Sequence, residues 1–368
     1  MVKGKHLVFI SEQIYPYRIG GTEVFNYYLV KALVPSIDVT CINSYSSETV
    51  DGVNHVKIGL PIMQRLLFPP LAALSILKIG MRARPHVVLS FSRSRWFYWI
   101  LYPMLKLLFG MHYTIIIHGG GLKVWKFRAP FLWLFKHADN VVGVSDRISV
   151  EYGNRTGQNV ITIPPLIPFV ISELDKKEAR SMFDLPTTAT IILMVGSLTD
   201  IKCTDTTIQA LAHLGNESLN KHNIFLVLAG DGAKRPEFEE EARKLHVSER
   251  VRFLGNVPRE DVKYLYRAAD FYVMASKFEG TPISMLEAMA NGLPIIGSDA
   301  PGINALVKHG ESALLFPIKD SKRLSELISS VLDDEGLRNE LSQNSLVTVR
   351  SNFSYDKMVN KYKEIFRL

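Results

Sequence analysis

Short runs of consecutive apolar residues alternate along this chain with longer stretches in which apolar positions recur at helical spacing. In the first half the runs are HLVFIS, DVTCIN, HVVLSF, YTIIIHG, NVVGVS and NVITIPP. A glycine turn and a helix from about Glu23 to Leu33 follow the first of them. A second series begins at ATIILMVGSL and continues through IFLVLAGDG, VRFLGNV, FYVMAS and LPIIGSD. Continuous rather than alternating apolar character predicts parallel strands covered on both faces. Two successive β/α series predict an α/β protein of two doubly wound, Rossmann-like domains facing a central cleft, with ligands at the carboxyl ends of the strands. The proline-rich stretch from Ile163 to Ser172 reads as the linker. The expected division is residues 1–168, residues 169–350, and a C-terminal helix in 351–368 that packs back toward the first domain.

One stretch breaks the pattern. KFEGTPISMLEAMANGLP, Lys277 to Pro294, predicts a helix apolar on nearly every side, yet Glu287 sits inside it and Glu279 stands just before it. Thr281 is placed to act as N-cap, Pro282 suits the first helical position, and Asn291-Gly292 with Pro294 forms the stop. A buried carboxylate needs a partner, because burying it alone costs several kcal/mol or neutralises it. For Glu287 that partner is either a ligand hydroxyl or an internal arginine or backbone amide, and the helix alone leaves both open. The Gly-Thr-Pro turn after Glu279 opens a helix N-terminus, a place suited to phosphate.

Composition narrows the class. At 368 residues and 47% hydrophobic content, two globular domains are expected. Two cysteines, Cys41 and Cys203, give no disulfide framework and point to a reducing compartment. The start of the chain reads as a first strand rather than a signal peptide, and no run is long and apolar enough for a membrane span. Charge is unevenly spread: residues 1–170 hold 18 Lys/Arg against 8 Asp/Glu, and no acidic residue lies between Asp51 and Asp139, where twelve basic ones occur.

Several strand-end features then line up in one order. Lys202 follows a strand in VGSLTDIKCTD, and Gly230 and Gly232 follow another in LAGDGAKR. Glu279 and Glu287 follow FYVMAS, and Gly302 follows LPIIGSD. This order, with EAMANGLPII after the paired glutamates, resembles the retaining nucleotide-sugar glycosyltransferases of family 4, which have the two-domain GT-B fold. The resemblance is strong from about Ile191 to Pro317 and weaker at GGTE and IIIHG in the first half.

The resemblance implies roles. Lys202 would bind the donor diphosphate, where a cation offsets charge building on the leaving group. Glu279 would contact donor sugar hydroxyls and Glu287 the ribose. The amides of Gly280, Thr281 and Ile283 would approach sugar and phosphates, while Pro282 has none to give. Gly230 and Ser197 line the same donor region. Gly20 and Gly21 match the glycine loop that lets backbone come close to phosphate or acceptor. His118 matches a strand-end histidine near the transferred sugar, although such a histidine can equally serve a local backbone group. The expected reaction keeps the anomeric configuration by front-face displacement, with the departing phosphate taking the acceptor proton. No metal and no cofactor is expected beyond the nucleotide-sugar donor.

The chain also departs from the family pattern. Ser197 stands where an arginine is usual, Ala305 where an acid is usual, and the linker lacks the usual Asn-Gly. Arg18, Lys277 or Arg235 are the candidates to replace the missing phosphate cation. These departures leave room for a catalytically lapsed nucleotide-sugar-binding protein. A nucleotide-sugar epimerase of the same fold is the other rival, disfavoured by the Glu279/Glu287 pair.

The acid-free segment mixes basic residues with dense Leu, Ile, Trp, Tyr and Phe, as in RSRWFYWILYPMLKLLFGMHY. That combination fits the interface of an anionic membrane. It is too apolar for nucleic acid. The expected setting is therefore cytoplasmic and peripheral, at the inner face of the cell membrane, with a glycan or lipid-linked acceptor.

Overall fold

The computed structural model describes residues 6–10, 21–43, 51–57, 71–72, 74–79, 85–91, 98–118, 128–165 and 170–367. Two compact units divide the chain. One comprises Met1–Pro168 with Tyr355–Leu368, the other Phe169–Ser354.

Among its described residues the first unit holds seven strands: β1 His6–Ile10, β2 Asp38–Asn43, β3 Asn54–Lys57, β4 His86–Phe91, β5 His112–Ile117, β6 Asn140–Gly143 and β7 Ile161–Thr162. They form one parallel sheet in the order β3-β2-β1-β4-β5-β6-β7. The second unit holds β8 Thr190–Val195, β9 Ile224–Ala229, β10 Val251–Gly255, β11 Phe271–Met274, β12 Ile295–Ser298 and β13 Leu314–Phe316. These six are parallel in the order β10-β9-β8-β11-β12-β13. The central strands are buried along their length, as their unbroken apolar runs require: Leu7 to Ile10, Ile115 to Ile117 and Phe271 to Met274 are each at most 3% exposed.

Each sheet reverses its winding once, between β1 and β4 in the first unit and between β8 and β11 in the second. Chains leaving neighbouring strands there turn to opposite faces and open a crevice at the strands' carboxyl ends, where ligands of doubly wound folds bind.

Two edge strands, β3 (NHVK) and β13 (LLF), escape the sequence pattern. The first is polar at every position but Val56, and the second is apolar but only three residues long, so neither makes a long apolar run. The helix of the Glu287 stretch is Ile283–Ala290, and Met285 to Ala290 are all buried, as expected. Its cap differs from expectation. Pro282 occupies the cap position, at φ −78° and ψ 81°, so the helix starts one residue later than expected and Pro282 is not its first helical residue. The Ile283 amide donates to the Thr281 carbonyl at 2.9 Å. This is an inverse γ-turn, which proline's fixed φ favours.

The second unit is tied together at its opposite end by Asp270. Its carboxylate accepts from Lys176 at 2.5 Å, from Arg180 at 2.8 Å and from the Ile191 amide at 2.6 Å. That network fastens the helix Lys176–Ser181 to the starts of β8 and β11. The C-terminal helix Tyr355–Ile365 belongs to the first unit, where Met358, Val359, Tyr362 and Phe366 enter the same core as β1, β4 and β5.

Candidate functional site

In the second unit the sequence-predicted residues converge on the β8/β11 crevice. The loop after β8 carries Ser197 and Lys202, and the loop after β11 carries Ser276 and Glu279. The two loops dock through the Lys277 amide, which donates to the Ile201 carbonyl at 2.8 Å. The Lys202 ammonium then meets the Glu279 carboxylate, Nζ to Oε1 2.6 Å. Ser276 donates to the same oxygen at 2.5 Å, and its own carbonyl accepts from the Ser298 hydroxyl at 2.6 Å. Sequence reasoning missed Ser276 and Ser298. The only signal was their place at strand ends, one step from the motif.

Close backbone crossings hold these loops. Gly230 has φ +136°, and a β-carbon there would lie 2.1 Å from the Gly196 carbonyl oxygen. Gly302 has φ +92°, and its β-carbon would lie 2.0 Å from the Glu279 carbonyl oxygen. The Glu279 amide donates to the Pro301 carbonyl at 3.0 Å, so Glu279 is fixed from both sides of its backbone.

Glu287 lies one helix further in, 5% exposed, and its internal partner is an arginine. Arg259 spans both carboxylate oxygens, with Nη1 donating to Oε2 at 2.9 Å and Nη2 against Oε1. Tyr266 donates to Oε2 at 2.8 Å. Burial pushes the Tyr266 phenol well above its usual range, so it remains a neutral donor. Arg259 and Tyr266 come from the segment after β10, 28 and 21 residues away in sequence, and nothing in their local pattern marks them. Removing the charge of one member of a buried pair strands the other. We expect Glu287→Gln to destabilise the protein by about 3 kcal/mol, read as a lower thermal midpoint, besides any effect on ligand binding. A variant as stable as the parent would show that the pair carries no net stabilisation.

Gly280 and Thr281 lie in the turn between Glu279 and the helix. The Ile283 amide, proposed for phosphate, is already engaged by the γ-turn. Of the candidate replacement cations, Arg235 is held by Glu239 at 2.7 Å and faces Asp231 at 3.4 Å. Lys277 adjoins the Lys202 loop through its backbone. Ser197 is exposed at the end of β8. Gly20 and Arg18 lie outside the described residues. Gly21 is the first residue of the helix Gly21–Leu33.

In the first unit His118 directly follows β5. Its Nε2 is 2.8 Å from the Ser90 hydroxyl, near the carboxyl end of β4, and Ser90 in turn donates to Asn26 Oδ1 at 2.5 Å. The Phe25 ring meets the imidazole edge-on at 4.6 Å between centroids. Asn26 rides on the helix that follows β1, so this chain of polar groups bridges the β1/β4 reversal. Burial pushes the His118 imidazole down to about 3, so the ring is neutral.

Comparison with known proteins finds glycosyltransferases among the chain's relatives. Residues 175–346 match the family described as Glycosyl transferases group 1. An uncharacterized glycosyltransferase of Methanocaldococcus jannaschii is 32% identical over 178 residues, 48% of this chain and 45% of that protein. The lipopolysaccharide core biosynthesis glycosyltransferase LpsE of Rhizobium meliloti is 28% identical over 186 residues, 50% of this chain and 52% of that protein. The chain thus spans about half the length of these curated relatives. HepE of Anabaena, solved in complex with UDP and glucose, superposes with TM-score 0.79 at 16% identity over 99% of both chains. WaaG, a glycosyltransferase involved in lipopolysaccharide biosynthesis, gives 0.73 at 17% identity over 98% of this chain and 99% of its own. The fold, two parallel-sheet α/β domains, is that of the GT-B glycosyltransferases.

Proposed function

We propose that this chain is a retaining glycosyltransferase of the family 4 type, moving a sugar from a nucleoside diphosphate donor to a hydroxyl of a lipid-linked saccharide or polysaccharide. The observation that carries the reading is the Lys202–Glu279 pair at the β8/β11 crevice. In this reading Lys202 exchanges its carboxylate partner for the donor diphosphate and offsets the charge that grows on the departing phosphate. Glu279, freed from the ammonium but still held by Ser276, accepts from hydroxyls of the sugar. Glu287 would share its carboxylate among a ribose hydroxyl, Arg259 and Tyr266. The departing phosphate takes the acceptor proton, so the residues position and stabilise rather than form a covalent intermediate. That HepE was solved with UDP and glucose supports a nucleotide-sugar donor here.

A nucleotide-sugar panel tests the proposal. The cognate donor at about 100 times its dissociation constant should stabilise the fold by about 2.7 kcal/mol, and transfer to a glycan acceptor should follow. Stabilisation without transfer would point to a lapsed enzyme. No stabilisation by any nucleoside diphosphate sugar would remove the donor site.

The acceptor reading includes contact with an anionic membrane through residues 62–136. Within the described part, the helix Tyr98–Phe109 buries Tyr102 and Leu105 but leaves Leu107 63% and Leu108 68% exposed, with Met104 and Phe109 partly so. An apolar helix end on an acid-free segment suits insertion among headgroups. We expect the protein to bind vesicles containing anionic lipid, less tightly as salt rises but not reversibly to zero, because apolar insertion is not screened. Sedimentation showing no vesicle binding at low salt would rule this contact out.

A further inference from the structure

The hydrogen-bond chain in the first unit has a polarity, and distance decides it. A serine hydroxyl has one proton. The Ser90 Oγ to Asn26 Oδ1 separation of 2.5 Å is too short for an N–H donor and repulsive for two oxygens without a proton between them, so the Ser90 proton lies there. The 2.8 Å contact between Ser90 Oγ and His118 Nε2 must then be donated by the ring. A neutral imidazole has one N–H, so the other nitrogen carries a lone pair.

We propose that Asn26 and Ser90 are positioning residues that hold His118 in its Nε2–H form, presenting Nδ1 as a hydrogen-bond acceptor to a sugar hydroxyl. The sugar part of this inference rests on the transferase reading; the proton placement does not. Three features support it. The chain crosses the β1/β4 reversal, where a ligand of this sheet would bind. Asn26 is fully buried and Ser90 nearly so, at the carboxyl edge of a sheet whose neighbouring positions are apolar. Buried polar side chains of this kind persist when each bond is satisfied, and a fully satisfied network fixes one geometry. The Phe25 edge contact adds a second restraint on the ring plane. The imidazole's depressed affinity for protons makes it a poor base, so its part is to orient a hydroxyl and not to remove the acceptor proton.

The test is nitrogen-15 NMR of the full chain labelled at histidine, with the His118 signals identified by their loss in His118→Gln. The expected result is a single neutral form with the proton on Nε2. A proton on Nδ1, or a mixture of both forms, would overturn the proposal, since it would mean that the Asn26 amide faces Ser90 with its nitrogen. Ser90→Ala should release the constraint and give mixed forms. It should also lower kcat/KM for the donor on the order of tenfold, the value of one hydrogen bond. Ser90→Thr, which retains the hydroxyl, should keep the Nε2–H form and most of the activity. A Ser90→Ala protein in which His118 stays wholly Nε2–H would show that Ser90 does not set the tautomer. If Ser90→Ala does not fold, the parent spectrum alone decides. Absence of transfer by the parent protein would defeat the transferase reading, and the spectrum would still decide the proton placement.

Discussion

Lys202→Ala and Glu279→Ala are each expected to lower glycosyl transfer at least about a hundredfold while leaving the fold intact, the scale of loss when one preorganised charge-stabilising group is removed. Lys202 is the cation on the β8 side of the crevice that pairs with Glu279, and Ser197 at the end of the same strand offers only a hydroxyl. The two variants should differ in kind. Without Lys202, Glu279 keeps its bond from Ser276 but faces the incoming diphosphate as an uncompensated like charge, so donor affinity and kcat should fall together. Without Glu279, Lys202 is released and diphosphate binding should be kept or strengthened, so the loss should fall on turnover. Steady-state kinetics with nucleoside diphosphate as competing ligand separates the cases. Near-normal turnover in either variant would remove that residue from the catalytic assignment. The fold should survive, because the pair is partly exposed at 25% and 11% of side-chain area and lies above the core.

Gly302→Ala should have a large effect on the stability of the second unit. Its φ of +92° excludes a relaxed L side chain, and the new carbon would sit 2.0 Å from a carbonyl oxygen that cannot swing aside. Backbone strain and overpacking together should cost about 3 kcal/mol or more. That is a fall of roughly 5–10 °C in the thermal midpoint. The crowded oxygen belongs to Glu279, so activity should drop beyond what the lost stability explains. Gly110→Ala is the control: its φ is +64°, but nothing lies within 4 Å of its β-carbon, so it should cost about 1 kcal/mol. Equal effects at the two glycines would mean that the loops re-form around the added carbon.

The architecture was legible because parallel strands buried on both faces must be written as unbroken apolar runs, and β8, β9, β11 and β12 are. Edge strands β3 and β13 were not, since one face or one end of each is relieved of that demand. Lys202 and Glu279 were legible through a motif whose parts fall at strand ends. Their partner Ser276 was not, because a serine carries no sequence signal until the fold brings it within 2.5 Å of a carboxylate. Glu287 announced that it needed a partner but not which one: Arg259 and Tyr266 arrive from another loop, and only tertiary structure pairs them. The helix began one residue late for a local reason. Proline ahead of Ile283 favoured a γ-turn, and that turn puts Pro282 at the cap and engages the Ile283 amide.

The return of the helix Tyr355–Ile365 to the first unit carries a consequence for the order of assembly. Met358, Val359, Tyr362 and Phe366 are part of the core built around β1 and β4, so that core stays incomplete until the ribosome has passed residue 366. The second unit is one uninterrupted stretch, Phe169–Ser354, with all its core partners already synthesised by then. The usual amino-terminal-first sequence of domain folding on the ribosome is therefore inverted at the last step. The first unit begins translation first, yet its core can close only after the second unit has been synthesised.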